Sequence, residues 1–286
     1  MTGSLPPFVS TEWLASRLGA SGLKVADASW YLPGSGRDPA SEYAASHIPG
    51  AIFFDIDDLS DRTTSLPHML PDAPAFEARM AAFGLNNSDQ VVVYDGSGVN
   101  LSAPRAWWML RTFGHEQVAV LDGGLNKWRR EGRAVESGRV TPKPGNFNAR
   151  FRAAGVRDLQ AVWKNITSRK EQLVDVRSRG RFLGVEPEPR PGLRRGHVPG
   201  SINLPFTTLV RPDGTLPPLD ELRRTLTESG IDLTRPIVAT CGSGTSACAL
   251  LLSLHVVGHS DAALYDGAWA EWGGRADTPV ECQANT

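Results

Sequence analysis

Two α/β domains in tandem, each a mainly parallel sheet flanked by helices, are predicted by three observations. Short branched apolar runs alternate with helical ones, blocks of the first half return in the second, and a stretch rich in proline and glycine lies between them. In the first half Val91-Val92-Val93-Tyr94 reads as a strand, Ala103 to Phe113 has helical spacing, and Val118-Ala119-Val120-Leu121 reads as a strand again. Strand, helix, strand is the order of a parallel sheet covered by helices.

The repeat follows the chain. Leu23-Lys24-Val25-Ala26-Asp27, a short strand ending in an acid, returns as Gln172-Leu173-Val174-Asp175. The turn His47-Ile48-Pro49-Gly50-Ala51 returns as His197-Val198-Pro199-Gly200-Ser201. Val120-Leu121-Asp122-Gly123-Gly124, with Trp128 beyond, returns as Leu264-Tyr265-Asp266-Gly267-Ala268, with Trp272 beyond. The copies lie about 150 residues apart, a spacing of tandem domains rather than of a solenoid with its period of roughly 20–50 residues. The prolines and glycines from Ser137 to Asn146 forbid a continuous helix and restrict strand pairing. The predicted layout is a first domain over 1–137, a linker over 138–150 and a second domain over 151–286.

The second domain carries the chemistry. Pro236-Ile237-Val238-Ala239 reads as a strand and Ala247-Cys248-Ala249-Leu250-Leu251-Leu252 as a helix, with Cys241-Gly242-Ser243-Gly244-Thr245-Ser246 as a tight loop between. In open parallel sheets ligands bind beyond the carboxyl ends of the strands, where Cys241 falls. Inward-pointing N–H groups and the positive end of the following helix favour a thiolate there, and the thiolate is the nucleophile. This reading requires the sulfur to be reachable and the loop amides to face it. The first domain has Asp95-Gly96-Ser97-Gly98 at the same place. A carboxylate does not take up a sulfur atom reversibly, so only the second domain is expected to turn over.

Bulk properties narrow the class. A net charge of −1 argues against a nucleic-acid surface. Three cysteines in 286 residues form no disulfide framework, which suits a reducing compartment. No signal peptide, membrane span or metal-ligand spacing is evident, so a cytoplasmic location with no membrane partner, no metal and no cofactor is expected. Cys248 is expected to pack in the core, and Cys282 lies in a polar tail. His47 and His197, one per domain, read as turn-locking residues.

Several motifs taken together carry a family resemblance over residues 8–275. They are Ser46-His47-Ile48-Pro49-Gly50-Ala51, Ser102-Ala103-Pro104-Arg105, Leu121-Asp122-Gly123-Gly124, Gly180-Arg181-Phe182, Glu186-Pro187-Glu188-Pro189-Arg190, the Cys241 loop, and Tyr265-Asp266-Gly267-Ala268-Trp269-Ala270-Glu271-Trp272. The chain resembles the tandem-domain rhodanese-like sulfurtransferases, and within them the branch that uses 3-mercaptopyruvate. The resemblance implies a persulfide on Cys241, charged by the donor and discharged to a thiol, such as thioredoxin or a small thiol, or to cyanide. It assigns Arg181 and Arg190 to the substrate and makes Ser243, His68 and Asp57 candidates for a proton relay. Gly242, Gly244, Thr245 and Ser246 complete the loop that would hold the donor. Mercaptopyruvate enzymes usually continue the loop with Val-Thr-Ala where this chain has Thr245-Ser246-Ala247, which implies tuned rather than lost activity.

Donor choice follows from charge. Thiosulfate enzymes of the family place basic side chains directly after the cysteine, which suits a dianion. Gly242 and Ser243 are neutral, and a monoanionic 2-oxo acid could be held by Arg181 and Arg190 through forked, charge-assisted bonds. Thiosulfate:cyanide sulfur transfer is the alternative. Cysteine phosphatases share the loop layout but need an arginine six residues after the cysteine, where Ala247 stands. A non-catalytic binding module is the remaining class, and Cys241 in its cradle speaks against it. Arg194 and Arg195 read as solvated charges.

Overall fold

The computed structural model describes residues 5–282. Contacts divide them into two units. The first comprises residues up to Arg62, Leu70–Arg152 and Val210–Leu216; the second comprises Thr63–Met69, Ala153–Leu209 and residues from Pro217 onward. Each unit thus takes one short segment from the other half of the chain. The two segments hold matching places in the repeat, since Leu66-Pro67 in one aligns with Leu216-Pro217, whose leucine ends the other.

In the first unit, β1 (Phe8–Val9), β2 (Leu23–Asp27), β3 (Ile52–Phe53), β4 (Gln90–Tyr94) and β5 (Val118–Leu121) form a sheet of order β1-β5-β4-β2-β3. The second repeats it with β6 (Val156–Arg157), β7 (Gln172–Asp175), β8 (Ile202–Asn203), β9 (Ile237–Thr240) and β10 (Ala262–Tyr265), in the order β6-β10-β9-β7-β8. Every strand pair in both sheets is parallel. The central strands β4 and β9 are covered on both faces, which explains why their sequences run apolar without alternation.

The helices follow the same plan: α1 (Thr11–Ala15), α2 (Pro39–Ala45), α3 (Ala73–Ala82), α4 (Ala103–Thr112) and α5 (Gly124–Arg130), then α6 (Leu159–Ser168), α7 (Arg179–Leu183), α8 (Leu219–Glu228), α9 (Ala247–Val256) and α10 (Ala268–Trp272). Aspartates start three of them, and Asp38 caps α2 by accepting from the Ala40 and Ser41 amides. Asp72 caps α3 by accepting from the Ala75 amide, and Asp158 caps α6 by accepting from the Ala161 amide, both at 2.8 Å. Such caps contribute about 1 kcal/mol each. Helix α9 is buried from Ala247 to Leu254, so the run that follows the cysteine is the spine of its unit. Among the described residues no helix is long and apolar enough to cross a membrane.

The Pro- and Gly-rich stretch after Ser137 packs along the first unit instead of hanging free. The Gly145 amide donates to Ala81 O at 2.7 Å, and the Asn146 and Asn148 amides donate to the side chains of Asn86 and Asn87. A Cβ at Gly145 would run into the Leu85 carbonyl, so only glycine fits that approach. Phe147 is buried beside Phe76. Paired asparagines satisfy the amides that a strand ladder would otherwise take, a device without periodicity and therefore without a pattern to read.

The histidine turns lock as expected. His47 Nδ1 lies 2.8 Å from Tyr43 O, and His197 Nδ1 lies 2.7 Å from Phe182 O. Each also forms an isolated antiparallel bridge, to Glu136 and Glu281 respectively. Cys248 is buried, with Sγ 3.3 Å from the Gly244 carbonyl.

One strand-end acid has a measurable consequence. Burial pushes the Asp27 carboxyl up to about 6, against the opposing pull of bonds from Ser29 and Tyr94. Because the folded value lies above the unfolded one, the folded state binds the extra proton between pH 4 and 6. Stability from this group is therefore full at low pH and lost as pH rises through 6. Asp27→Asn is expected to raise stability at pH 7.5 by about 2 kcal/mol and to change little at pH 4. Denaturant titration at the two pH values checks it, and an equal shift at both would remove Asp27 as the cause.

Candidate active site

Residues 241–246 connect β9 to α9, and Cys241 stands immediately after the strand. Its carbonyl accepts from the Trp269 amide at 2.9 Å, and the Gly242 carbonyl accepts from the Ala270 amide at 2.9 Å. A trans peptide is planar, with N–H opposite C=O. With those carbonyls turned toward α10, the amides of Gly242 and Ser243 point the other way, into the loop.

The first unit displays what such a loop holds. There Leu125 donates to Asp95 O, matching the bond from Trp269 to Cys241 O. The Asp95 carboxylate fills the cradle: Oδ1 accepts from the Ser97 amide at 2.9 Å and the Ser97 hydroxyl at 2.5 Å. Oδ2 accepts from the amides of Ser102 and Ala103 at 2.9 and 2.8 Å. In the second unit the amides of Gly242, Ser243, Ser246 and Ala247 donate to no protein acceptor among the described residues. The amides matching Ser243, Ser246 and Ala247 are thus satisfied by the unit's own carboxylate in one case and left for an anion in the other, while Gly96, the counterpart of Gly242, donates to Ser29 Oγ at 2.9 Å.

Exposure differs from what the sequence required. Cys241 is only 1 % exposed, so its sulfur does not stand open to solvent. Gly242 and Ser246 beside it are half-buried, and a donor has to enter past that rim.

His68 belongs to the second unit, within the segment Thr63–Met69. Its Nδ1 lies 2.9 Å from Ser243 Oγ and 2.9 Å from Thr245 Oγ1, and all three residues are buried. Thr245, at the position where valine is usual, therefore gives the imidazole a second hydroxyl neighbour. His68 holds φ 61°, a left-handed backbone rare for a residue with a Cβ. Strain of this kind persists where the surroundings over-determine it, as around a functional group.

Arg181 lies on α7, and its Nη2 would be 2.9 Å from a Cβ built on Gly242. The missing side chain at 242 is what lets the guanidinium rest on the loop. Glu188 holds Arg181 through Nη2 at 2.5 Å and Nε at 3.2 Å. Behind Glu188 lies Arg177, fully buried, which reaches Glu188 Oε1 at 2.7 Å and both oxygens of Asp175. Burial pulls the Arg177 guanidinium down, but Asp175 and Glu188 outweigh it and hold the group above its ordinary value.

The structure thus brings Cys241, Gly242, Ser243, Gly244, Thr245, Ser246, His68 and Arg181 together in one unit. Asp57 lies in the first unit, exposed, with its carboxylate accepting from Trp30 Nε1 at 3.2 Å. Arg190 is half-buried at the end of the Glu186–Arg190 segment. Arg194 is no solvated charge: it donates to the carbonyls of Gly273, Thr278 and Trp272 and ties down the chain end. Arg177 and Glu188 were missed from sequence. A signal for Arg177 existed, because it replaces Ser29 of the first copy two residues after the strand-end acid. For Glu188 there was none, since an acid between prolines in a charged segment reads as solvated.

The profile of the rhodanese-like domain matches residues 10–131 and again 158–275. The 3-mercaptopyruvate sulfurtransferase of Escherichia coli is 46 % identical over 275 residues, covering 96 % of this chain and 97 % of that protein. A protein of Arabidopsis thaliana named thiosulfate/3-mercaptopyruvate sulfurtransferase 1, mitochondrial, is 45 % identical over 296 residues, covering 96 % of this chain and 78 % of its own. Among solved structures, SseA of Escherichia coli superposes with a TM-score of 0.85 at 42 % identity, covering 92 % of this chain and 99 % of that one.

Proposed function

Because the chain belongs to the rhodanese-like family, as two such domains in tandem, we propose that it is a sulfurtransferase that takes sulfur from 3-mercaptopyruvate onto Cys241 and passes it to a thiol or to cyanide. The observation that carries this reading is the unfilled cradle: a cysteine at the position where the first unit has Asp95, above amides that no protein group among the described residues uses.

The Cys241 thiolate attacks the thiol sulfur of 3-mercaptopyruvate, a sulfur–sulfur bond forms, and the carbon–sulfur bond breaks with its electron pair going to carbon. The resulting enolate takes the proton that the donor thiol carried and leaves as pyruvate. The persulfide anion that remains would be stabilised by the loop amides after Cys241. Ser243 and His68, in hydrogen-bond contact, are suited to carry that proton, with Thr245 helping to hold the imidazole. Asp57 would serve as the acid of the relay, as the family resemblance implies. Arg181 presents its open guanidinium edge to the oxo-acid carboxylate, and Arg190 would complete the clamp. Thioredoxin, a small thiol or cyanide then removes the outer sulfur and restores the thiolate.

Intact-mass measurement after mixing with 3-mercaptopyruvate tests the reading. Wild type is expected to gain one sulfur atom and Cys241→Ser none. The ratio of kcat/KM for 3-mercaptopyruvate and thiosulfate, measured in one preparation, decides between the two donors. Arg181→Ala is expected to lower kcat/KM for the oxo acid by about 100-fold, the loss typical of removing a charged hydrogen bond. Sulfur uptake undiminished in Cys241→Ser would overturn the assignment.

A further inference from the structure

Glu188 sits between two arginines with its side chain 2 % exposed. One carboxylate oxygen accepts from Arg177 Nη1 at 2.7 Å, and the other accepts from Arg181 Nη2 and Nε. Arg177 in turn holds Asp175, donates to Gly196 O at 2.8 Å, and lies 4.3 Å from the centre of the Trp269 ring. The four side chains alternate in sign, Asp175, Arg177, Glu188, Arg181, and carry no net charge between them.

Two consequences follow for the loop. The first is position. Arg181 uses Nε and Nη2 on Glu188, with Nη2 against Gly242, while Nη1 has no protein partner among the described residues. One donor nitrogen is thus left at a defined place beside Gly242, the residue after the cysteine. The second is charge. An uncompensated guanidinium attracts a dianion about twice as strongly as a monoanion. A carboxylate bonded directly behind it cancels that preference and leaves the hydrogen-bond donor intact.

We propose that Glu188 is the positioning residue that sets donor selectivity: it fixes Arg181 over Gly242 and neutralises it, so that the site favours a singly charged 2-oxo acid over the thiosulfate dianion. This inference rests on the reading of the Cys241 loop as a sulfur-transfer site. It assigns Glu188 no contact with the donor, only control of the group that makes the contact.

The test compares kcat/KM for 3-mercaptopyruvate and for thiosulfate, with cyanide as acceptor, in wild type, Glu188→Gln and Glu188→Asp at low and high salt. In Glu188→Gln the thiosulfate-to-mercaptopyruvate ratio is expected to rise by about 10-fold through a lower KM for thiosulfate, and the rise should shrink at high salt as the new charge is screened. Glu188→Asp keeps the charge but shortens the reach. Its KM should rise for both donors together with kcat held, leaving the ratio near that of wild type. A merely structural role predicts that both variants lose rate with both donors alike, and an unmoved ratio in Glu188→Gln overturns the inference. Should Glu188→Gln fail to fold by circular dichroism, Glu188→Asp decides: a held ratio with KM raised for both donors and kcat unchanged supports the inference, and a shifted ratio overturns it. A wild type that takes no sulfur from 3-mercaptopyruvate sinks the underlying reading, and this inference with it. A wild type that does, beside an unmoved ratio in Glu188→Gln, sinks this inference alone.

Discussion

Cys241→Asp is expected to abolish sulfur transfer, by about 10⁴-fold or more as for other lost nucleophiles, without unfolding the protein. The first unit supplies the reason. Asp95 occupies the equivalent cradle and engages three backbone amides and the Ser97 hydroxyl. Bonds from amides to a carboxylate are charge-assisted and contribute roughly 1.5–3 kcal/mol each. An aspartate at 241 would find the amides of Ser243, Ser246 and Ala247 without protein acceptors among the described residues. It should satisfy them from within and fill the volume where a donor would sit. The thermal midpoint is therefore expected at or above that of wild type, whereas Cys241→Ser should lose activity with no gain. A midpoint several degrees below wild type would deny that the two loops are equivalent cradles. Residual turnover in the aspartate variant would deny that the sulfur at 241 carries the reaction.

Arg177→Met should carry the largest stability cost of any single change near the site. Its guanidinium is fully buried and neutralises Asp175 and Glu188, whose side chains are 1 % and 2 % exposed. Methionine fills much of the volume but leaves Asp175 buried without its cation and Glu188 with Arg181 alone. Breaking one side of a buried ion pair costs about 3–5 kcal/mol. The loss should depend on pH with a definite sign. Orphaned buried carboxyls have folded pKa values above the unfolded ones, so they prefer the protonated form, and the penalty is larger at pH 8 than at pH 5. Guanidinium titrations followed by tryptophan fluorescence at both values measure it. Adding Asp175→Asn to Arg177→Met should recover part of the loss, because the orphaned charge is gone. A destabilisation below about 1 kcal/mol, the range of an exposed ion pair, would refute the compensating role.

How much of this was legible before any coordinates can be judged residue by residue. The two domains, their parallel sheets and the place of Cys241 after β9 were legible, because each leaves a local trace: an unbroken apolar strand, a turn of small residues, a helical run, and a second copy of the same plan. The contrast between Asp95 and Cys241 was legible for the same reason, as one differing residue in an otherwise repeated loop. What Asp95 does with that contrast was not. That its carboxylate closes the first cradle is a matter of hydrogen bonds, visible only once the loop is folded.

Other features lay beyond local pattern altogether. That His68 meets Ser243 and Thr245 depends on contacts between residues far apart along the chain. From the motif alone, its role rested on family likeness. The Asn86 and Asn87 side chains that hold the stretch after Ser137, and the burial of Glu188 between two arginines, depend on which surfaces meet.

Periodicity and repetition are properties of neighbours along the chain, so the amino-acid order alone was enough to establish the tandem α/β plan and to single out the reactive sulfur. Whether a charge is solvated or sealed, and which hydroxyl faces which imidazole, are properties of neighbours in space. The folded chain had to settle those. Burial changes the worth of a carboxylate from nearly nothing to several kcal/mol, and nothing in the letters Glu186-Pro187-Glu188 says which of the two acids is buried.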